Sequence, residues 1–170
     1  MQDARLSTYT LAMTDVQPQL PTDAPGRRSG AVRQQAISDY GLIGDMRTAA
    51  LVGLDGGIDW CCLPRFDSAS VFAALLDPER GGTWAVSPEG KWTSSQRYLP
   101  RTNILETTFR TAEGGVISLT DFMPVAEDGR PSGQHPEIHR RMRCSRGRVD
   151  VRLLQSQAQR CEGSRPSVFD

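Results

Sequence analysis

The chain has 170 residues, enough for one domain with a sizeable core. Its 20 Lys and Arg balance its 20 Asp and Glu, so the formal net charge is zero. That balance argues against a nucleic-acid binder or a polybasic membrane-surface protein, and no apolar run approaches the roughly 20 residues of a membrane span.

Residues 1–36 read as a flexible leader, with Pro18, Pro21, Pro25, Gly26 and Gly30 among scattered polar residues and no sustained periodicity. No basic region followed by an apolar core opens the chain, so the expected location is cytoplasmic. Order is expected from Ile37. "GLIGD" at 41–45 lacks the spacing of a phosphate loop and reads as a turn with close backbone approach. "TAALVGLDGGIDWCCL" predicts two strands around Asp55-Gly56-Gly57, because Asp-Gly and Gly-Gly supply the positive φ of tight hairpins. "PRFD" ends the second strand, since proline cannot donate to a ladder. In "SASVFAALLD", Ser68 or Ser70 can cap, and Val71/Leu75 and Phe72/Leu76 recur at helical spacing. This predicts a short helix over 69–77, stopped by Pro78 and Gly81-Gly82.

From there the pattern is strand and turn. "GTWAVSP" and "KWTSSQRYLP" read as extended, and "NILETTFRT" and "VISLTDFMP" as a hairpin over 103–123 around Glu113-Gly114-Gly115. A loop rich in Asp, Gly, Pro and Ser covers 126–136. "EIHRRMRCS" and "RVDVRLL" predict another hairpin around Arg146-Gly147. Many short strands joined by Gly and Pro turns indicate an all-β antiparallel sandwich or barrel. After Leu154, "QSQAQRCEGSRPSVFD" loses alternation and reads as an irregular tail over 155–170.

Chemistry-bearing residues are few. Cys61, Cys62, Cys144 and Cys161 fit neither a disulfide framework nor paired zinc knuckles and read as free, partly buried thiols. His135 and His139 lie in an extended segment, where residues four apart are about 13 Å apart, too far to share a metal. No metal or cofactor is expected. Asp59 and Asp67 offer the two carboxylates that glycoside hydrolysis uses, but Asp55, Asp77 and Asp121 also sit near turns, where aspartate bonds local amides. Ser68 and Ser70 lack a nucleophile-elbow context. Arg65, between Pro64 and Phe66, suits a nearby carboxylate, loop carbonyls or a sugar hydroxyl. Trp60 is expected in the core, with sugar stacking as its other use.

The stretch "SDYGLIGDMRTAALVGLDGGIDWCCLPRFDSASVFAALLD", followed by "GGTWAVSP", "RYLPRTNILETTF", "GGVISLTDFMP" and "EIHRRMRCSRGRVDVRLL", resembles the start of bacterial glycoside hydrolase family 15 proteins, the glucoamylase and trehalase-like group. The resemblance covers 37–154 in family order; Met46 and the doubled Cys61-Cys62 depart from the family's usual residues. It implies an N-terminal β-sandwich that supports an α/α barrel carrying the catalytic glutamates. No residue of this chain inherits those catalytic roles. It implies further that Trp60, Arg65, Phe66 and Asp67 contribute to an active-site rim, and that the α-glucoside is reached only through the barrel, the domain's partner in an intact enzyme. Trehalose, maltose-type sugars and longer glucans remain open as substrates. A stand-alone carbohydrate-binding or interaction module is the other reading. The family continues with further strands where this chain has its tail, so a frameshift or early stop near residue 154 is expected. It would leave an incomplete sandwich with an exposed edge and a tendency to aggregate.

Overall fold

A computed structural model describes residues 6–12, 35–125 and 136–156. Among these the chain forms eleven strands and one 3-10 turn, Ile37–Asp39. The strands are β1 (Leu6–Ala12), β2 (Tyr40–Gly44), β3 (Ala49–Gly53), β4 (Gly57–Cys62), β5 (Ser70–Phe72) and β6 (Thr83–Pro88). They continue as β7 (Trp92–Tyr98), β8 (Leu105–Thr111), β9 (Val116–Phe122), β10 (Glu137–Arg146) and β11 (Val151–Ser156). One sheet has the order β1-β10-β9-β8-β7; the other runs β11-β6-β4-β3-β2, with β5 added on β4. Pairing is antiparallel throughout. This is the expected all-β sandwich, and its core follows from the period of two along each strand. Leu105, Thr107 and Phe109 turn inward from β8, and Ile117, Leu119 and Asp121 from β9.

The two hairpins written in glycine form as expected. At the β3–β4 turn Gly56 has φ +79°, and a Cβ there would lie 2.2 Å from the Val86 carbonyl oxygen, so only glycine fits. Asp55 Oδ1 accepts from the Gly57 amide at 2.9 Å and fixes the turn. The β8–β9 turn uses Gly114 at φ +84°.

Four expectations change. Residues 40–44 form a strand rather than a turn, although the close approach is real: a Cβ on Gly41 would meet the Leu105 side chain at 2.5 Å. The helix expected over 69–77 is a short strand followed by a single turn. Phe72 is fully buried opposite Cys61, which holds 70–72 extended. The Ala73 and Ala74 amides then donate to Gly81 and Gly82 at 2.6 and 3.1 Å, so they cannot enter a helix ladder. Only Leu76 and Asp77 bond back, to the Ala73 carbonyl. Leu76, half of the expected apolar stripe, is 75% exposed.

The hairpin expected around Arg146-Gly147 is instead a crossing between sheets. A bulge at Cys144/Arg146 ends β10 in the first sheet, and β11 pairs with β6 in the second. Gly147, at φ +73°, packs on Gly115, and the Glu89 amide donates to the Asp150 carbonyl at 2.9 Å, which redirects the chain. Finally, β1 lies inside the segment expected as a leader and pairs with β10 from Leu6↔Arg143 to Ala12↔Glu137. Residues 1–5 and 13–34 of that leader lie outside the described residues. So do the loop at 126–135, His135, Cys161 and the tail beyond Ser156.

Polar groups tie the sheets together. Arg140 and Asp121 are both fully buried. Arg140 Nε and Nη2 donate to Asp121 at 2.8 and 3.1 Å within the first sheet. Its Nη2 also donates to the Gly56 carbonyl at 2.7 Å and its Nη1 to the Trp84 carbonyl, both in the second. The guanidinium lies 5.2 Å from the centre of the Trp84 ring. Gln96 Nε2 reaches the Val52 and Gly53 carbonyls at 3.2 and 3.0 Å. The Tyr98 hydroxyl accepts from the Leu42 amide and donates to the Leu42 carbonyl, at 2.8 and 2.9 Å, sealing part of the β2 edge. Removing one member of a buried pair strands the other, so Asp121→Asn and Arg140→Met should each cost about 3–5 kcal/mol in urea unfolding. The double variant Asp121→Leu/Arg140→Met should cost less than the sum of the single losses.

Candidate functional site

Strand β4 and the loop after it carry the expected site residues. A bulge against β3 pairs Val52 with Ile58 and Leu51 with Trp60, leaving Asp59 as the extra residue. Ile58 and Cys61 are fully buried, while Asp59 and Trp60 are half-buried. Trp60 is therefore not in the core. It continues an outward row of cross-strand pairs, Leu42↔Leu51 and Leu51↔Trp60.

The loop itself is anchored through its backbone. The Phe66 amide donates to the Arg47 carbonyl at 3.2 Å, and the Arg65 amide donates to Ser68 Oγ at 3.1 Å. Asp45, itself buried, accepts from the Arg47 and Thr48 amides at 2.9 Å each, so the β2–β3 loop beneath is held too. Thr48 Oγ1 donates to the Cys62 carbonyl and joins the two loops. Arg65 forms a bidentate pair with Asp67, Nε to Oδ1 at 3.0 Å and Nη2 to Oδ2 at 2.9 Å. The fork takes the carboxylate option that its position suggested. Both side chains remain mostly in solvent, and Phe66 between them is 57% exposed. Arg65, Phe66 and Asp67 thus form one exposed tip. Trp60 stands apart on the strand.

Asp59 and Asp67 do not form a carboxylate pair. Asp59 Oδ2 accepts from the Tyr40 hydroxyl at 2.9 Å and Oδ1 from Thr83 Oγ1 at 2.7 Å, while Asp67 is held by Arg65. Tyr40 and Thr83 are site neighbours that sequence reading missed; nothing local marks them, because they come from β2 and β6. Burial first, then the hydrogen bond to Asp59, raises the Tyr40 phenol well above its ordinary 10.0, with Asp55 and Asp39 adding to the effect.

Cys61, Cys62 and Cys144 are free thiols, as expected. Burial, then the neighbouring Cys62, pushes Cys61 up to about 12, and burial also raises Cys62. Thiols held in the protonated form are poor nucleophiles. His139 stacks on Phe122 with ring centres 5.1 Å apart and lies 2.8 Å from Glu137 Oε2. No three His, Cys, Asp or Glu side chains converge among the described residues, and none of their helices is long and apolar enough to cross a membrane.

A model of the trehalase-like N-terminal domain matches residues 28–138. The chain belongs to the trehalase-like N-terminal family. This domain is 40% identical over 119 residues to a trehalase of Thermoplasma volcanium, covering 69% of this chain and 19% of that protein. It is 37% identical over 111 residues to a trehalase of Mycobacterium tuberculosis, covering 65% of this chain and 15% of that protein. A trehalase of Mycolicibacterium smegmatis is 45% identical over 83 residues, covering 48% of this chain and 12% of that protein. The chain thus spans less than a fifth of the length of these relatives. No solved structure matches it.

Two outcomes are expected for the trehalase-like domain. Exposed ion pairs contribute little, so Arg65→Ala and Asp67→Ala should each change unfolding stability by less than about 1 kcal/mol. The Cys61 and Tyr40 shifts are upward, so their contribution is complete below the unfolded values and lost as pH rises. Stability should hold to about pH 9 and then fall through about pH 12, by about 1.4 kcal/mol per pH unit for each titrating group. Urea melts across this range, compared with Cys61→Ala, check the assignment: that variant should lose part of the slope.

Proposed function

We propose that this chain is the N-terminal sandwich of a glycoside hydrolase family 15 α-glucosidase of trehalase- or glucoamylase-like type, acting in carbohydrate metabolism. Its role is to support a catalytic α/α barrel, its partner in the intact enzyme. The observation that carries this reading is the match of the trehalase-like N-terminal model over residues 28–138, together with the small share of each trehalase that the chain covers.

The site chemistry agrees with a supporting role. Hydrolysis by two carboxylates needs one to protonate the leaving group and the other to act as base or nucleophile across the scissile bond. Asp59 spends both oxygens on Tyr40 and Thr83, and Asp67 is clamped by Arg65. The anchored tip Pro64-Arg65-Phe66-Asp67 instead offers a guanidinium and an exposed ring to a neighbouring surface, and we assign it to the barrel's rim. Trp60, apart from the tip on the outer row of β4, is assigned to the same rim. The adjacent free thiols favour a reducing compartment, hence the cytoplasm.

The test uses both the chain and a chimera. The purified chain should release no glucose from trehalose or maltooligosaccharides above the blank. A chimera in which this chain replaces the matched stretch of the Thermoplasma volcanium trehalase should hydrolyse trehalose. In the chimera Arg65→Ala should lower kcat/KM about tenfold with an unchanged melting midpoint. Glucose release by the chain alone would overturn the supporting role. Tight trehalose or maltooligosaccharide binding by the chain alone would favour a stand-alone carbohydrate-binding module.

A further inference from the structure

A side chain at positive φ crowds its own backbone, so such positions ordinarily fall to glycine. One end of the sandwich follows that rule. Gly56, Gly90, Gly114 and Gly147 have φ between +73° and +84° in the connections after β3, β6, β8 and β10. A Cβ on Gly90 or Gly114 would meet open space, so φ alone asks for glycine at those two turns.

The opposite end departs from the rule twice. Among the described residues, the non-glycine positions with positive φ are Met46 at +72° and Arg101 at +60°. Met46 is the first of the two residues that close the β2–β3 hairpin, a place where glycine is usual. The Asp45 amide donates to the Thr48 carbonyl at 3.3 Å, and Asp45 Oδ1 accepts from the Arg47 and Thr48 amides, so the turn is fixed around Met46. Arg101 follows Pro100 in a turn closed from the Thr102 amide to the Leu99 carbonyl at 3.1 Å, at the position that ordinarily takes glycine or asparagine. Thr102 Oγ1 also donates to that carbonyl at 2.9 Å and accepts from the Ile104 amide at 3.2 Å. Neighbouring bonds therefore hold both residues in the strained region.

Neither side chain offsets the strain within the domain. Met46 is 71% exposed. Arg101 is exposed, with no ion pair or side-chain hydrogen bond among the described residues. Both stand beside the tip. The Phe66 amide bonds the carbonyl of Arg47, the residue after Met46. Asn103 Nδ2 donates to the Gly44 carbonyl at 3.2 Å and brings the β7–β8 turn to the β2–β3 hairpin. Met46, Phe66 and Arg101 are thus exposed side chains from three adjoining loops.

We propose that Met46 and Arg101 are contact residues for the catalytic barrel, extending the tip of Arg65, Phe66 and Asp67 across the β2–β3 and β7–β8 turns. This rests on the reading of the chain as the barrel's supporting sandwich. Strain that nothing inside the sandwich offsets is retained where a contact outside it does so. The barrel is the surface that the reading supplies: the chain covers 19% of the Thermoplasma volcanium trehalase, and the tip between the two turns is assigned to the barrel's rim. The Met46 thioether beside the Phe66 ring fits an apolar patch there. The Arg101 guanidinium fits a carboxylate or carbonyls at the border of that patch.

In the 170-residue chain, Met46→Gly and Arg101→Gly should each raise the melting midpoint by about 2–8 °C. In the chimera with the Thermoplasma volcanium trehalase that gain should vanish, and kcat/KM for trehalose should fall about fivefold. Gly114→Ala, at the far end, should lower the midpoint alike in chain and chimera and leave kcat/KM unchanged. Amide exchange needs no substitution. Residues 44–48, 64–68 and 99–104 should be more protected in the chimera than in the chain, and 54–57, 89–91 and 112–115 equally protected in both. Midpoints that do not rise in the chain, gains of the same size in the chimera, or added protection at the far end instead would overturn the proposal. An inactive chimera would count against the supporting-domain reading, while its exchange pattern still decides whether this end of the sandwich meets the barrel.

Discussion

A guanidinium without access to water must satisfy its donors inside the protein, and Arg140 does so across both sheets at once. Its fork grips Asp121 on the neighbouring strand, and its remaining donors reach the carbonyls of Trp84 and Gly56 on the facing sheet. Desolvating two such charges is expensive, and their attraction offsets it only when the geometry is good and the remaining donors are bonded. Here every described buried polar side chain has a partner. The two carbonyls make this contact directional. The hydrophobic effect has no preferred direction; a planar fork aimed at two carbonyls of the other sheet does. The pair thus adds a directional contact between the sheets, and the guanidinium lies 5.2 Å from the centre of the Trp84 ring.

Much of this frame was legible. Glycine placement gave the β3–β4 and β8–β9 hairpins, because only glycine meets their turn geometry. Parity along the strands also carries a signal for the ion pair. Asp121 stands two residues from both Leu119 and Met123, and Arg140 two from both Ile138 and Met142, so each shares the inner face of its strand. A charged residue at inward parity has to find an opposite charge, and two such positions on adjacent strands suggest each other. Within "HRRMR" the identity of the buried arginine rests on that parity alone.

What sequence could not give was decided at long range. The spacing of Val71, Phe72, Leu75 and Leu76 is helical, yet Phe72 is drawn into the core beside Cys61 and the next amides bond residues 81 and 82. Propensity over nine residues is a weak force beside one fully buried phenylalanine, whose burial is worth about 1.5–3 kcal/mol. The turn at Gly147 carries the signature of a hairpin, but packing on Gly115 sends β11 to the other sheet. At the candidate site a nearby carboxylate was one of three partners that sequence left open for Arg65, and the structure supplies it from Asp67, two residues on. The Tyr40–Asp59–Thr83 cluster was not, because it is assembled from three strands.

These contrasts explain where the domain can act. Polar groups that bridge strands, such as Arg140, Gln96 and the Asp59 cluster, are consumed by the frame and have little left for a ligand. The groups left over lie at the ends and edges: a charged, aromatic tip on a backbone-anchored loop, and one strand whose apolar side chains outrun the opposing sheet. The tip is held by its backbone while its side chains stay in water. The buried Arg140 and the exposed Arg65 thus show the two uses of one side chain in this fold: the first is spent wholly on the sheets, the second holds one local carboxylate and stays in water.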